Sequence, residues 1–113
     1  MKYRLFSTAD AQQDDIWDYT LNTWGEEKAK QYVIGLHDCF SNIANKDVIW
    51  NTLPRHLVVP LDLAVDVYFV RYEKHVIFFK ELSNGVVGIL SILHQSMDMP
   101  IKLAKDLTLI DGE

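Results

Sequence analysis

The spacing of hydrophobic and polar positions changes several times along this chain, and each change predicts a separate structural element. Residues 2–6 are apolar with interspersed charge, which predicts a short first strand. Residues 9–23 fit a helix, capped by Ser7 or Thr8 and ended by Trp24-Gly25. Five residues fall on the side expected to face the core: Ala9, Ile16, Tyr19, Thr20 and Thr23.

The next segment has the most regular pattern in the chain. Its apolar positions recur at steps of three and four residues: Ala29, Tyr32, Val33, Leu36, Cys39, Phe40, Ile43 and Ala44. This period predicts a second amphipathic helix over about residues 26–45. Because only a short turn separates the two helices, we expect an antiparallel helical hairpin.

The C-terminal half reads mainly as strands. Residues 46–64, which include Pro54 and Pro60, show no clear period. Residues 65–72 and 75–82 predict two strands joined by a tight turn at Glu73-Lys74, and Asn84-Gly85 predicts a second hairpin turn. Residues 86–94 are apolar on both faces, as in a central strand, and residues 101–107 suit a short final helix.

This order of elements predicts the fold class. We expect one α+β domain over residues 1–113. It would have an N-terminal strand, an antiparallel helical hairpin packed on a mainly antiparallel four-stranded sheet, and a short C-terminal helix.

The composition narrows the classes of function. The formal net charge is −5, from 11 basic and 16 acidic residues without a basic cluster, which argues against stable binding to nucleic acid. No apolar run is long enough for a membrane span, and the N-terminus lacks a signal peptide pattern. A single cysteine fits a reducing compartment, so we expect a cytoplasmic protein.

The histidines and the cysteine give no catalytic or metal motif. His37, His56, His75 and His94 lack the close spacings of zinc ligands, so neither a metal nor a cofactor is expected. Cys39 lies on the apolar stripe of the second helix and is interpreted as a core thiol. His94 allows two interpretations: a partly buried histidine bonded to backbone, or a residue that helps to orient the turn at 95–98 at a target-binding surface.

One face of the first helix is acidic. Asp10, Asp14 and Asp18 recur every four residues, and such a line is usually a solvated surface. It could also attract a basic partner segment. Trp17 lies at the edge of the apolar side and could anchor such a partner, although Trp17, Tyr19, Trp24 and Tyr32 suit core or hairpin-closing positions.

Several of these segments together resemble the ParE branch of the RelE/ParE toxins. The C-terminal motif is Ile92-Leu93-His94-Gln95-Ser96-Met97-Asp98, which follows the strand pair at 70–80. In the helices, the matching residues are Asp15-Ile16, Tyr19, Trp24-Gly25, Ala29 and Tyr32. The resemblance covers about residues 1–45 and 65–107.

The resemblance implies a function and its partners. ParE toxins belong to type II toxin–antitoxin systems, which are associated with plasmid stabilisation. They poison DNA gyrase without a catalytic site and are neutralised by a ParD-type antitoxin, as homodimers or toxin–antitoxin hetero-oligomers. The candidate target-binding residues are Arg71, Lys80, His94, Gln95, Met97 and Asp98. The candidate antitoxin-binding residues are Asp10, Asp14, Trp17 and Asp18.

Two other functions stay open. A RelE-like ribosome-dependent ribonuclease would draw its catalytic groups from Arg71, Tyr72, Lys74, Lys80, Glu81 and His94. It is the runner-up, because no tyrosine follows Tyr72. A toxin-like binding protein without toxicity is the third candidate function. Two departures from the ParE pattern support it: Ser91 and Ser96 replace arginines common in ParE motifs, and the segment 46–64 lacks the usual Pro-Gly connection. Both serines are expected at the target surface.

For two site candidates, a structural role competes with target binding. Asp98 could cap the last helix, and Met97 could fold back onto the core.

Overall fold

The computed structural model describes residues 2–53 and 66–110. The elements in chain order are β1 (Tyr3–Leu5), α1 (Ser7–Trp24), α2 (Glu26–Ala44), β2 (Asn51–Thr52), β3 (Tyr68–Tyr72), β4 (His75–Glu81), β5 (Val87–His94) and α3 (Met99–Ile110). The α+β class with its helical hairpin is confirmed. Pro54, His56 and Pro60 lie outside the described residues.

The described strands form one sheet in the order β1-β5-β4-β3-β2. β1 runs parallel to β5, and the other neighbours are antiparallel. The prediction of a four-stranded sheet is therefore one strand short, because β2 adds a fifth strand at the edge beside β3. It has only two residues, Asn51 and Thr52, both exposed, so it has no apolar alternation that could have predicted it.

β5 is buried on both faces, which confirms its prediction as a central strand. One core lies between the sheet and the α1–α2 hairpin and contains Leu36, Phe40 and Ile77. The other lies under α3 and contains Leu90 and Leu103. No helix among the described residues is long and apolar enough to cross a membrane.

The start of α1 differs from the prediction that Ser7 or Thr8 caps it. Phe6 occupies the cap position and makes no side-chain capping bond. Its N–H donates to the Ile89 carbonyl (3.0 Å), and its own carbonyl accepts from the N–H of Asp10 (2.9 Å). The Phe6 ring is buried in the core under α3, so an apolar side chain fixes the junction between β1 and α1. Gly25, with φ of 95°, separates α1 from α2.

The predicted core side of α1 is only partly right. Ala9, Ile16 and Thr20 are buried, but Tyr19 and Thr23 are exposed. Tyr19 is 67% exposed and Trp24 is 68% exposed, so neither is a core residue. Tyr19 faces an open cavity rather than the packed layer.

Candidate functional site

A cavity of about 510 Å³ opens beside the C-terminal end of β5. Its walls come from α1, the start of β4, the end of β5, the turn after β5 and α3. The residues that line it are Gln12, Asp15, Ile16, Tyr19, Thr20, His75, Ile92, Leu93, His94, Ser96, Met97, Lys102, Lys105 and Asp106. The lining combines the apolar side chains of Ile16, Ile92, Leu93 and Met97 with a larger number of polar and charged residues.

The turn after β5 is held in one shape by His94. Nδ1 of His94 accepts a hydrogen bond from the Ser96 N–H (3.1 Å) and lies 2.6 Å from the Ser96 hydroxyl. The Met97 N–H donates to the His94 carbonyl (3.0 Å). His94 therefore bonds to backbone within the turn, and its expected role at a target-binding surface stays a prediction. Met97 is 44% exposed and does not fold back onto the core.

Most of the predicted target-binding residues meet at this turn. The N–H of Gln95 donates to the Lys74 carbonyl (2.8 Å), which ties the turn to the β3–β4 hairpin. Arg71 is exposed, with Nη1 3.5 Å from Oε1 of Gln95. Asp98 caps α3, because its Oδ1 lies 3.4 Å from the Ile101 N–H and its carbonyl accepts from Lys102 (3.0 Å).

Lys80 does not join this group. His75 pairs with His94, whereas Lys80 pairs with Gly88 near the other end of β5. Five residues along a strand span about 17 Å. The β4–β5 register therefore places Lys80 away from the turn, toward the other end of the sheet.

Behind the turn, two neutral side chains form a pair. The Tyr32 hydroxyl and Nδ1 of His75 are 2.5 Å apart. Burial, followed by the nearby Tyr72, raises the pKa of Tyr32 to about 12. Burial and then His94 lower the pKa of His75 to about 4, and the two imidazole rings pack edge to face at 5.2 Å. At neutral pH both groups of the pair are therefore uncharged.

Ser91 faces the interior, which corrects its expected place at a target surface. It is fully buried, and its hydroxyl donates to Oδ2 of Asp106 (2.7 Å). Gln12 donates to the same oxygen (2.9 Å) and accepts from the Ile92 N–H (2.7 Å). This network joins α1, β5 and α3 at the base of the cavity. Ser96, the other departure from the ParE pattern, is exposed in the turn.

The acidic face of α1 is where the sequence placed it. Asp10, Asp14 and Asp18 are exposed, and Trp17 is half-buried beside them. None of the four lines the cavity. The candidate antitoxin-binding residues and the turn thus form separate surfaces, with Asp15 on the cavity side of the same helix.

The described histidines serve in hydrogen bonds and ring packing. His37 Nδ1 lies 2.7 Å from the Tyr3 hydroxyl, and His75 and His94 pack together. No group of three potential ligands among His, Cys, Asp and Glu occurs in residues 2–53 and 66–110. Cys39 is partly buried against the core, and burial raises the pKa of its thiol, as its prediction as a core residue implies.

Sequence reasoning missed several residues of the cavity. Gln12, Asp15 and Tyr19 share one face of α1, and Lys102, Lys105 and Asp106 share one face of α3. The helical spacing within each set was visible in the sequence. What joins the two sets is the packing of both helices around the end of β5, which no local pattern encodes.

Comparison with known proteins agrees with this architecture. Residues 3–99 match the family described as the ParE toxin of the type II toxin–antitoxin system parDE. Toxin ParE1 of Mycobacterium tuberculosis, from strains H37Rv and CDC 1551, is 28% identical over 103 residues, covering 87% of this chain and 93% of the relative. A chromosomal ParDE system from P. aeruginosa contains a chain with the same fold, with a TM-score of 0.64 and 19% identity over 83% of this chain and 95% of that one.

The family match spans most of the chain, so this protein belongs to the ParE toxin family of type II toxin–antitoxin systems.

Proposed function

We propose that this toxin poisons DNA gyrase through the turn at the end of β5 and is neutralised by a ParD-type antitoxin. The observation that carries the proposal is the group formed by Arg71, His94, Gln95 and Met97. There, the Arg71 cation reaches from β3 to Gln95 of a turn that is fixed by hydrogen bonds and exposes the apolar side chain of Met97. A rigid turn with one apolar anchor suits binding to a folded protein target. Because gyrase acts on cellular DNA, the proposal places the protein in the cytoplasm.

Inhibition by binding, without catalysis, is part of the proposal. His75 has a pKa of about 4 and Tyr32 a pKa of about 12, so neither is tuned to exchange protons near neutral pH. No tyrosine follows Tyr72. These features favour a toxin that acts through its surface.

The antitoxin is proposed to bind along the α1–α2 hairpin. The solved relative from P. aeruginosa comes from a ParDE pair, which supports a partner of that type here. The aspartates of α1 offer a negative surface for a basic segment, beside Trp17 as an apolar anchor. Since this surface and the turn are separate, a variant of one should leave the other intact.

A DNA cleavage assay with purified protein, DNA gyrase and supercoiled plasmid tests the proposal. We expect gyrase-dependent DNA cleavage complexes to accumulate with the toxin and to disappear when the antitoxin is added first. Gyrase alone and toxin with plasmid alone are the controls. No rise in cleavage complexes above the level with gyrase alone, at saturating toxin, would contradict a gyrase target.

One observation favours ribosome-dependent mRNA cleavage as the second candidate. The cavity gathers His94, Lys102 and Lys105, whose side-chain nitrogens could bind RNA phosphates. Programmed ribosomes incubated with the toxin distinguish the two functions. We expect intact mRNA, and codon-phased cuts that vanish in a Lys102→Gln variant would establish the ribonuclease instead.

The third candidate, a binding protein without toxicity, loses one of its supports because Ser91 is buried. Ser96 still departs, in the exposed turn, from the arginine that the ParE motif commonly has there. Expression without antitoxin separates this candidate from the other two, since harmless expression would favour it.

A further inference from the structure

Arg4 and Lys80 lie in one row across three strands. Arg4 of β1 and Lys80 of β4 are both register partners of Gly88 in the intervening β5. Cross-strand partners project from the same face of a sheet, so both side chains stand on the α3 side. With strands spaced about 4.8 Å apart, their Cα atoms are about 10 Å apart.

Gly88, which lies between the two cations in the sheet, has no side chain to occupy the space between them. A Cβ at this position would lie 2.7 Å from Cε1 of Phe6 and 3.3 Å from Cδ2 of Leu82. Those two apolar side chains therefore form a floor. The guanidinium of Arg4 is held 4.5 Å above the centroid of the Phe6 ring, so its position is fixed by the floor.

A cavity of about 430 Å³ occupies this place. Its polar lining comes from Arg4, Lys80, Ser83 and Asn84, and no acidic residue is among its described lining residues. In residues 2–53 and 66–110, neither cation has a carboxylate within 4.0 Å. Glu81 follows Lys80 directly but pairs with Lys46 (3.8 Å). The side-chain carbonyl of Asn84 is used by the Val86 N–H (3.3 Å), which leaves its amide NH₂ as a donor.

We infer that this cavity, which we call the Arg4–Lys80 site, binds the phosphoryl group of a small phosphomonoester or of free phosphate. The two cations match the charge of a dianion, and the planar guanidinium can bind two phosphate oxygens at once. The ammonium, amide and hydroxyl groups supply further donors. The net charge of −5 disfavours an extended polyanion here, whereas a single phosphoryl group meets the two nearby positive charges.

The site is independent of the proposed gyrase-binding turn. Lys80 is about 17 Å along β4 from His75 at that turn, by the rise of a strand. Binding of phosphate here would therefore survive a failure of the gyrase proposal, and the reverse also holds.

The test is NMR titration of the full chain with inorganic phosphate and, separately, with phenyl phosphate, at constant ionic strength in chloride. We expect saturable shifts at the Arg4, Lys80, Asn84 and Gly88 amides. Tighter binding of phenyl phosphate than of phosphate would identify a phosphomonoester as the ligand, and equal affinity would identify free phosphate.

Three variants decide whether the Arg4–Lys80 site is responsible. Arg4→Gln and Lys80→Gln should each weaken binding by about tenfold, the loss of one charge-assisted contact. Lys28→Gln, which removes an exposed charge from α2, should bind as the parent does. Thermal unfolding of each variant shows that the fold is kept. Equal affinity for all three variants, or equal loss in all three, would overturn the proposal.

Two further outcomes would also overturn it. Shifts that chloride reproduces at the same concentration would indicate an adventitious ion only. Asp111 and Glu113 follow Ile110, which lines the cavity, so a double Asp111→Asn, Glu113→Gln variant is included. If phosphate binds to this variant and fails to bind to the parent, the acidic tail is the occupant instead of an external phosphate.

Discussion

At the scale of single residues, Ser91 was expected at the target surface, but its side chain projects into the interior toward α3. Phe78, in the core under α3, pairs with Ser91, and Phe79, in the other core, pairs with Ile89. The irregularity between these pairs makes Leu90 the extra residue of a bulge, so both 90 and 91 face α3. Because β5 is apolar on both faces, simple alternation could not reveal this shift.

The Asp106 carboxylate is predicted to hold α3 in place. Asp106→Ala removes the acceptor used by Ser91 and Gln12, so buried donors lose their partner. We expect a loss of about 2–3 kcal/mol in the free energy of unfolding, measured by denaturant titration. Asp15→Ala removes an exposed carboxylate from the same cavity and should change stability by less than about 0.5 kcal/mol. If the two variants lose the same free energy of unfolding, the hydrogen bonds of Asp106 to Ser91 and Gln12 contribute no specific stability.

His75 gives the protein a predicted sensitivity to acid. Its pKa is lowered from 6.5 to about 4, so the unfolded chain binds the proton more readily than the folded one. Stability is therefore fully retained above pH 6.5 and is lost as pH falls toward 4. With allowance for the partial exposure of the ring, we expect this one group to account for about 1–2 kcal/mol.

Thermal unfolding of a His75→Gln variant between pH 7 and 4 measures this contribution. The variant should lose less stability over that range than the parent does. His37→Gln removes an imidazole from another part of the core and serves as the control. If His75→Gln and the parent lose the same stability, another group governs the acid response.

At the scale of elements, the helical hairpin was predictable and its surroundings were less so. The period of Leu36, Phe40 and Ile43 located α2 correctly, because an amphipathic helix records its buried face in local spacing. The cap of α1 was mistaken, because burial of Phe6 overrode the preference for a polar cap at Ser7. β2 could not be predicted from two exposed residues.

The acidic face of α1 is predicted to accelerate association with the antitoxin. Changing Asp10, Asp14 and Asp18 together to asparagine should slow association at low salt by about tenfold, with little change in dissociation. Stopped-flow measurements across ionic strength should show a flatter salt dependence. The control triple of Asp47, Asp66 and Glu73, changed to Asn, Asn and Gln, alters the net charge equally at exposed positions outside the hairpin. If both triples behave alike, net charge rather than this face attracts the partner.

At the scale of the whole molecule, the order of elements was enough to predict the α+β architecture. The pairing register of the strands determines which residues meet at the candidate site. Arg71 and Gln95 are 24 positions apart and meet only because β3, β4 and β5 pair as they do. The same register removes Lys80 from the turn and sets it beside Arg4. Since pairing register depends on contacts between distant segments, it could not be predicted from the spacing of residues.

The inhibition of purified gyrase by toxin variants is the most direct test of the central claim, that the turn at the end of β5 is the target surface. Arg71→Ala and Met97→Ala should each weaken inhibition by at least about tenfold, because each removes an exposed contact from the turn. Both should retain antitoxin binding and near-normal thermal stability. Lys80→Ala, at the other end of the sheet, should inhibit as the parent does. Full inhibition by the turn variants, or loss of inhibition together with stability, would contradict the account.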